Sequence, residues 1–424
     1  MTFIIRANTD TGPPEPGRLP LHPGVSLIMF AFFDTLRKAT RRAVLMPLAA
    51  LALAACDPAA LTSIGGGGGP SIDTSRPIPV ALLVPRGSGQ ASDDLLARNL
   101  ENAARLAMRD LNGVDIDLRV YGTAGNAQTA ANQAALAVAD GARIILGPLY
   151  AEAANAAGVA VAPRGVNVLA FSNNTTIAGG NVFVLGATFQ NTADRLVSYA
   201  TSQGRRRMIV VHAQDVSGQL GRNAIQQAIS RSGATLVGSV DYPLSQQGVV
   251  DSVQRVKAAV DNGAADSVFI TSPSASALPL LTQLLPEAGV SPASTQFIGL
   301  ARWDIPPQTL DLPGVQGGWF ALPDPNRAAA FRSQYQAAYG AAPHPLAGLA
   351  FDGIAAIGAL ASQGRSNALT GAALTQSAGF QGATGVFRLR PNGTNQRGLA
   401  VATVRDNKVA IISPAPNGFG GAGF

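Results

Sequence analysis

From Ile78 onward one pattern repeats: a short apolar run, a loop of small residues, then an amphipathic stretch of helical period. IPVALLV at 78–84 is such a run. A helix follows, with Ser92 expected as its N-cap and Asp93 and Asp94 in the first turn, where the helix dipole favours negative charge. Leu96, Leu100, Ala103, Ala107 and Leu111 form its apolar face, and Asn112-Gly113 is expected to end it. The same reading predicts strands at 116–121, 143–146 and 166–171, with helices at 127–139 and 151–162. A second series opens near 181 and predicts strands at 208–212, 235–241, 267–271 and 295–299. Helices at 190–203, 219–232, 248–262 and 275–288 separate them. Continuously apolar strands joined by crossover helices form parallel sheets covered on both faces. Two series therefore predict an α/β fold of two doubly wound lobes.

The residues before Ile78 follow a different logic. Arg37, Lys38, Arg41 and Arg42 precede AVLMPLAALALAA at 43–55, a basic region followed by an apolar one. Thirteen residues are too few to span a bilayer as a helix, which needs about 20. Leu53-Ala54-Ala55-Cys56 resembles a bacterial lipobox, which implies that Cys56, the sole cysteine, carries a lipid and opens the mature chain. Residues 1–55 are accordingly expected to be an export signal, with the functional start at Met29. Residues 56–76, with five consecutive glycines, are expected to be the lipidated cysteine and a flexible tether, and 413–424 a loose tail.

Charge and motifs exclude several functions. Six of the 31 basic residues and three of the 25 acids precede Cys56, leaving 25 against 22, a net charge of +3. With Arg205-Arg206-Arg207 as the longest basic cluster, nucleic-acid binding has no support. After Cys56 only His212 and His344 remain, far apart, and neither HExxH, GxSxG nor a phosphate-binding GxxxxGK[ST] occurs. No enzyme, metal or cofactor is expected.

Ligands of open parallel sheets bind at the carboxyl ends of the strands. Those ends run PRGSGQASDD (85–94), GPLYAEA (147–153), FSNNTT (171–176), HAQDVSGQLG (212–221), TSPSAS (271–276) and GLARWD (299–304). IILGPLYAEAANAA, VNVLAFSNNTTIAG and RMIVVHAQDVSGQLGRNAI resemble successive blocks of type I periplasmic binding proteins of the leucine/isoleucine/valine-binding kind. The segments 322–360 and 379–404 agree. The resemblance implies two Rossmann-like lobes joined by three hinge crossovers. The module would span 77–412, with 77–188 and 324–380 in the first lobe and 189–323 and 381–412 in the second. A ligand cleft between them would be lined by Ser88, Tyr150, Ser172, Asn173, Asn174, Thr175, Ser217, Arg302 and Trp303.

Relatives that bind amino acids answer both charges of a zwitterion, and here that chemistry is altered. Tyr150, Ala151 and Glu152 stand where serines are expected, Ser217 replaces a tyrosine, and Leu300-Ala301-Arg302 replaces the acid that meets the ammonium; only if a neutral amino acid binds would the acid be sought elsewhere in the second lobe, as at Asp215. These departures resemble the lipoproteins that activate class A penicillin-binding proteins. That subgroup shares Gly147-Pro148-Leu149, Ala170-Phe171-Ser172-Asn173 and Pro323-Asp324-Pro325 followed by Phe331, Tyr335 and Tyr339. The expectation is a noncatalytic, lipid-anchored periplasmic regulator of peptidoglycan synthesis, its partner a class A penicillin-binding protein. The alternative is the solute-binding lipoprotein of an ABC importer, partnered by a permease and holding an amino acid or another small polar or peptide-like ligand. Asp57 favours inner-membrane retention, whereas known activators reach the outer membrane. Plainer explanations stand beside the functional ones. The three aromatics are spaced for a core-facing helix, His212 suits a structural role, Asn173 and Asn174 suit left-handed turn positions, and Trp303 and Trp319 could fill core.

Overall fold

The computed structural model describes residues 69–420. The expected signal, Met29, Cys56 and the first four glycines of the run lie outside the described residues.

In chain order the first series is β1 (Ile78–Val84), α1 (Ala91–Arg109), β2 (Ile116–Gly122), α2 (Ala127–Ala139), β3 (Ile144–Leu146), α3 (Ala151–Val161), β4 (Asn167–Ala170) and β5 (Val182–Val184). These strands form a parallel sheet of order β2-β1-β3-β4-β5. Its two faces explain the unbroken apolar run of β1. Val80, Leu82 and Val84 pack with Leu96 and Leu100 of α1, while Ala81 and Leu83 pack with small residues of α2 and α3. A strand alternates its side chains between faces, so one covered on both sides must be apolar throughout.

The second series is α4 (Phe189–Ser202), β6 (Arg207–Ala213), α5 (Val216–Ser230), β7 (Thr235–Tyr242), α6 (Gln246–Gly263), β8 (Ser267–Ile270), α7 (Leu278–Glu287), β9 (Gln296–Gly299) and β10 (Trp319–Pro323). The chain then returns through α8 (Pro325–Tyr339), α9 (Gly348–Ala361) and α10 (Gly371–Leu374) to a ribbon of β11 (Phe380–Gly382), β12 (Gly385–Leu389) and β13 (Asn395–Arg397). It closes with β14 (Leu399–Arg405) and β15 (Lys408–Ser413). The second sheet has the order β15-β14-β10-β9-β8-β6-β7, and β14 pairs antiparallel with both β10 and β15. Three crossovers join the lobes, at 185–188, 323–325 and 397–399.

The structure corrects several expectations. Gln90, not Ser92, is the N-cap of α1, without a side-chain cap bond, and the helix ends at Arg109, before Leu111. The Ser88 hydroxyl accepts the Gln90 N–H (3.1 Å), and Gly87 and Gly89 take positive φ, so the turn delivers the chain into the helix early. The ribbon belongs with the first lobe: Phe380, Ala383, Phe387 and Leu389 join its core, so 381–397 is not part of the second lobe. Phe380 and Phe387 meet across the ribbon (5.5 Å), giving it an apolar face that needs burial.

Both ends of the module are fastened more than expected. Ile72 is 6% exposed within the first core and donates its N–H to the Ser366 carbonyl (2.8 Å), so the tether does not run free to 76. Burying such a side chain contributes about 1.5–3 kcal/mol. At the other end Arg195 Nη2 donates to Ser413 Oγ (2.6 Å) and the Pro414 carbonyl (3.2 Å). Gln381 Nε2 donates to the Asn417 carbonyl (3.2 Å), and the Arg388 guanidinium lies 4.6 Å from the Phe419 ring centre. Residues 414–420 thus lie against both lobes instead of trailing loose.

Candidate ligand site between the lobes

The site is built at strand carboxyl ends. After β3, Gly147 adopts φ +83°, a left-handed value that side chains resist, and the turn sets Leu149 and Tyr150 at the start of α3. After β4 come Phe171, Ser172, Asn173 and Asn174, in a turn held by its own hydroxyl and amide groups. Ser172 Oγ accepts the Asn174 N–H (3.1 Å), and Asn174 Oδ1 accepts both the N–H (2.9 Å) and the hydroxyl (2.8 Å) of Thr176. Neither asparagine takes a positive φ, so the left-handed explanation fails. Gly186 of the first crossover lies against this turn, and a methyl group there would sit 2.5 Å from the Ser172 carbonyl oxygen.

Two cavities meet at that turn. The inner, about 460 Å³, is enclosed by the first lobe and all three crossovers, with Leu149, Tyr150, Phe171, Leu349, Val386 and Leu399 among its walls. The outer, about 550 Å³, lies between Asn173–Thr175 of the first lobe and the starts of α4 and α5, where Gln190, Ser217 and Asn223 line it. Asn173 and Asn174 line both.

Tyr150 is 40% exposed and donates its hydroxyl to Asp93 Oδ1 at 2.6 Å. That bond, with partial burial and the carboxylate's charge, pushes the phenol up to about 12. Below the inner cavity Arg397 Nη1 donates to Asp352 Oδ2 (2.8 Å), both side chains almost fully buried. Burial raises the Asp352 carboxyl, and Arg397 with the Ala383 N–H (2.7 Å) offsets that rise. Arg397 also donates to the Leu185 carbonyl in the first crossover, which ties ribbon, helix and crossover together.

Residues 77–408 match the sequence profile of the periplasmic binding protein family. The chain belongs to that family. Solved structures agree on the fold. A protein from Rhodospirillum rubrum assigned to branched-chain amino acid ABC transport superposes with a TM-score of 0.67 at 20% identity, covering 80% of this chain and 100% of that one. A branched-chain amino acid ABC transporter periplasmic ligand-binding protein from Burkholderia xenovorans gives 0.60 at 18% identity, covering 80% and 96%. An ABC transporter substrate-binding protein from Desulfitobacterium hafniense, in complex with Leu, gives 0.56 at 18%, covering 80% and 100%. No curated protein matches the chain.

In this periplasmic binding protein the expected site residues divide. Tyr150, Ser172, Asn173 and Asn174 line the inner cavity, and Thr175 and Ser217 join the two asparagines on the outer one. Ser88 lines neither, its hydroxyl being engaged with Gln90. Arg302 is also outside both and donates its Nε to Asp304 Oδ1 (2.9 Å), so an acid exists near the expected place but is already held. Trp303 is fully buried in the second core, stacked on Phe320 with ring centres 6.2 Å apart. It fills space left open by Gly299 and Gly318, which have no Cβ to collide with the indole. Asp215 caps α5 by accepting the Gly218 N–H (2.6 Å), so it is not a free acid. Buried His212 has its Nδ1 3.0 Å from the Ala213 carbonyl. Phe331, Tyr335 and Tyr339 face the first core, where the Tyr335 hydroxyl donates to Asn99 Oδ1 (2.9 Å) and that of Tyr339 to the Asn102 carbonyl (2.8 Å). Trp319 packs edge-on against Tyr199. Sequence reading missed Leu349, Asp352, Val386 and Arg397, because nothing local separates a cavity wall from a core residue.

Proposed function

We propose that this protein carries a small solute in the interlobe cleft and delivers it to an ABC permease. The observation that supports this most is the junction at Asn173–Asn174. A ligand seated there touches the crossovers in one cavity and both lobes in the other, so its binding energy can favour one lobe arrangement over another. The solved relatives named above are ABC transport proteins, which favours this reading over activation of a penicillin-binding protein. In this reading the protein is noncatalytic, works in the periplasm and is held to a membrane by lipid on Cys56.

Affinity purification of the tagged full-length protein from detergent-solubilised membranes is expected to recover ABC permease subunits. Recovery of a class A penicillin-binding protein without any permease would reverse the assignment. Cys56→Ser is expected to release the protein into the soluble periplasmic fraction, and continued membrane association would rule out the anchor.

A further inference from the structure

We infer that the cleft selects an uncharged solute, with hydrogen-bonding groups at one end and an apolar group at the other. The inference rests on the solute-binding reading above and adds the chemical class. Among the described residues, none lining the outer cavity is ionisable; its polar wall includes the amides of Asn173, Asn174, Gln190 and Asn223 and the hydroxyls of Thr175 and Ser217. In the inner cavity the ionisable groups are Tyr150, bound to Asp93, and the mutually paired Asp352 and Arg397. The rest of that wall is largely aliphatic and aromatic, as at Leu149, Phe171, Leu346 and Leu399.

Several charged groups of the surrounding loops are also engaged. Asp304 holds Arg302, Asp215 caps α5, and Asp324 accepts the Asn326 (2.9 Å) and Arg327 (3.2 Å) N–H groups. Arg222 donates to Asn223 Oδ1 (3.1 Å). A zwitterion entering this space must have its ammonium and carboxylate answered or lose the hydration of both. Opening the Asp352–Arg397 pair to answer it would strand a buried charge instead. Neutral amides and hydroxyls suffer no such mismatch, and the Asn173 side chain, with no partner among the described residues, offers a donor and an acceptor where the cavities meet.

The test is a charge series on one side chain, measured by calorimetric titration of the full-length protein at pH 7. The probes are N-acetyl-leucinamide (neutral), leucine (zwitterion), leucinamide (cation) and N-acetyl-leucine (anion). The neutral probe is expected to bind at least about tenfold more tightly than the other three, one decade per 1.4 kcal/mol. Tighter binding of leucine or of either ion overturns the inference and leaves the importer reading intact. Absence of binding by all four also overturns it, while permease recovery judges the importer reading separately. Asn173→Ala is expected to weaken the neutral probe about tenfold, the loss of one hydrogen bond. Unchanged affinity in a variant with unchanged melting would remove Asn173 from the site.

Discussion

Tyr150 carries a strongly perturbed phenol, and the largest cause is its hydrogen bond to Asp93, with partial burial second. A carboxylate 2.6 Å from the hydroxyl stabilises the protonated form and repels the phenolate. The neutral phenol is therefore favoured in the folded protein. Its contribution to stability is present below the ordinary value of about 10 and is lost as pH rises through about 12. Site-specific ¹³C NMR of Tyr150 should show ionisation near pH 12, and Asp93→Asn should bring it back towards about 10. Ionisation near 10 in the wild type would mean that the bond does not form in solution. At the same scale the arginine run changes meaning. Arg207 Nε donates to the Gly263 (3.0 Å) and Ala264 (3.1 Å) carbonyls at the end of α6, and Arg205 to the Ser294 carbonyl (3.0 Å). Two of the three therefore serve helix and loop ends, where carbonyls lack helical partners.

Among the elements, the ribbon β11–β13 depends on α9 through one buried ion pair. Asp352 accepts the Ala383 N–H and the Arg397 guanidinium, and the guanidinium also lies over the Phe387 ring, 5.2 Å from its centre. Removing one partner leaves the other charge buried and unmatched, which typically costs about 3–5 kcal/mol. Asp352→Ala is expected to destabilise by that amount in urea, whereas Asp352→Leu with Arg397→Met should recover much of it. If the single variant melts like the wild type, the pair does not hold the ribbon. The sequence had placed these strands in the wrong lobe. An apolar strand pattern shows that a ribbon needs burial, but not which of two cores supplies it.

For the whole molecule, the crossovers are bound to one another as well as to the lobes. Asn395 Nδ2 donates to the Val184 (2.7 Å) and Gly186 (2.8 Å) carbonyls, Asn191 Nδ2 to the Asn395 carbonyl (3.1 Å), and Arg195 Nε to the Leu399 carbonyl (2.7 Å). Residues 414–420 add a further link, from Arg195 in the second lobe to Gln381 and Arg388 on the ribbon. Deleting 414–424 removes at least the Pro414 and Asn417 hydrogen bonds and the Arg388–Phe419 contact seen among the described residues, and is expected to cost about 1–3 kcal/mol. Amide exchange should rise in 380–397 and stay unchanged in β1 and β3. Uniform exchange across the protein would show that the segment does not link the lobes.

Sequence alone determined the alternation of strands and helices, the two doubly wound lobes and the loops at which a ligand site could form. Those features follow from side-chain periodicity and from the position of loops at strand ends, both local properties of the chain. It also singled out Tyr150, Ser172, Asn173, Asn174, Thr175 and Ser217, which line the two cavities. Only the tertiary structure decided that Trp303 fills core, that Arg302 and Asp215 are spent on local partners, and that Asp352 and Arg397 meet beneath the cavity from positions 45 residues apart. Burial and pairing are set by whatever else occupies the same space, and contacts made across the fold leave no mark on local sequence.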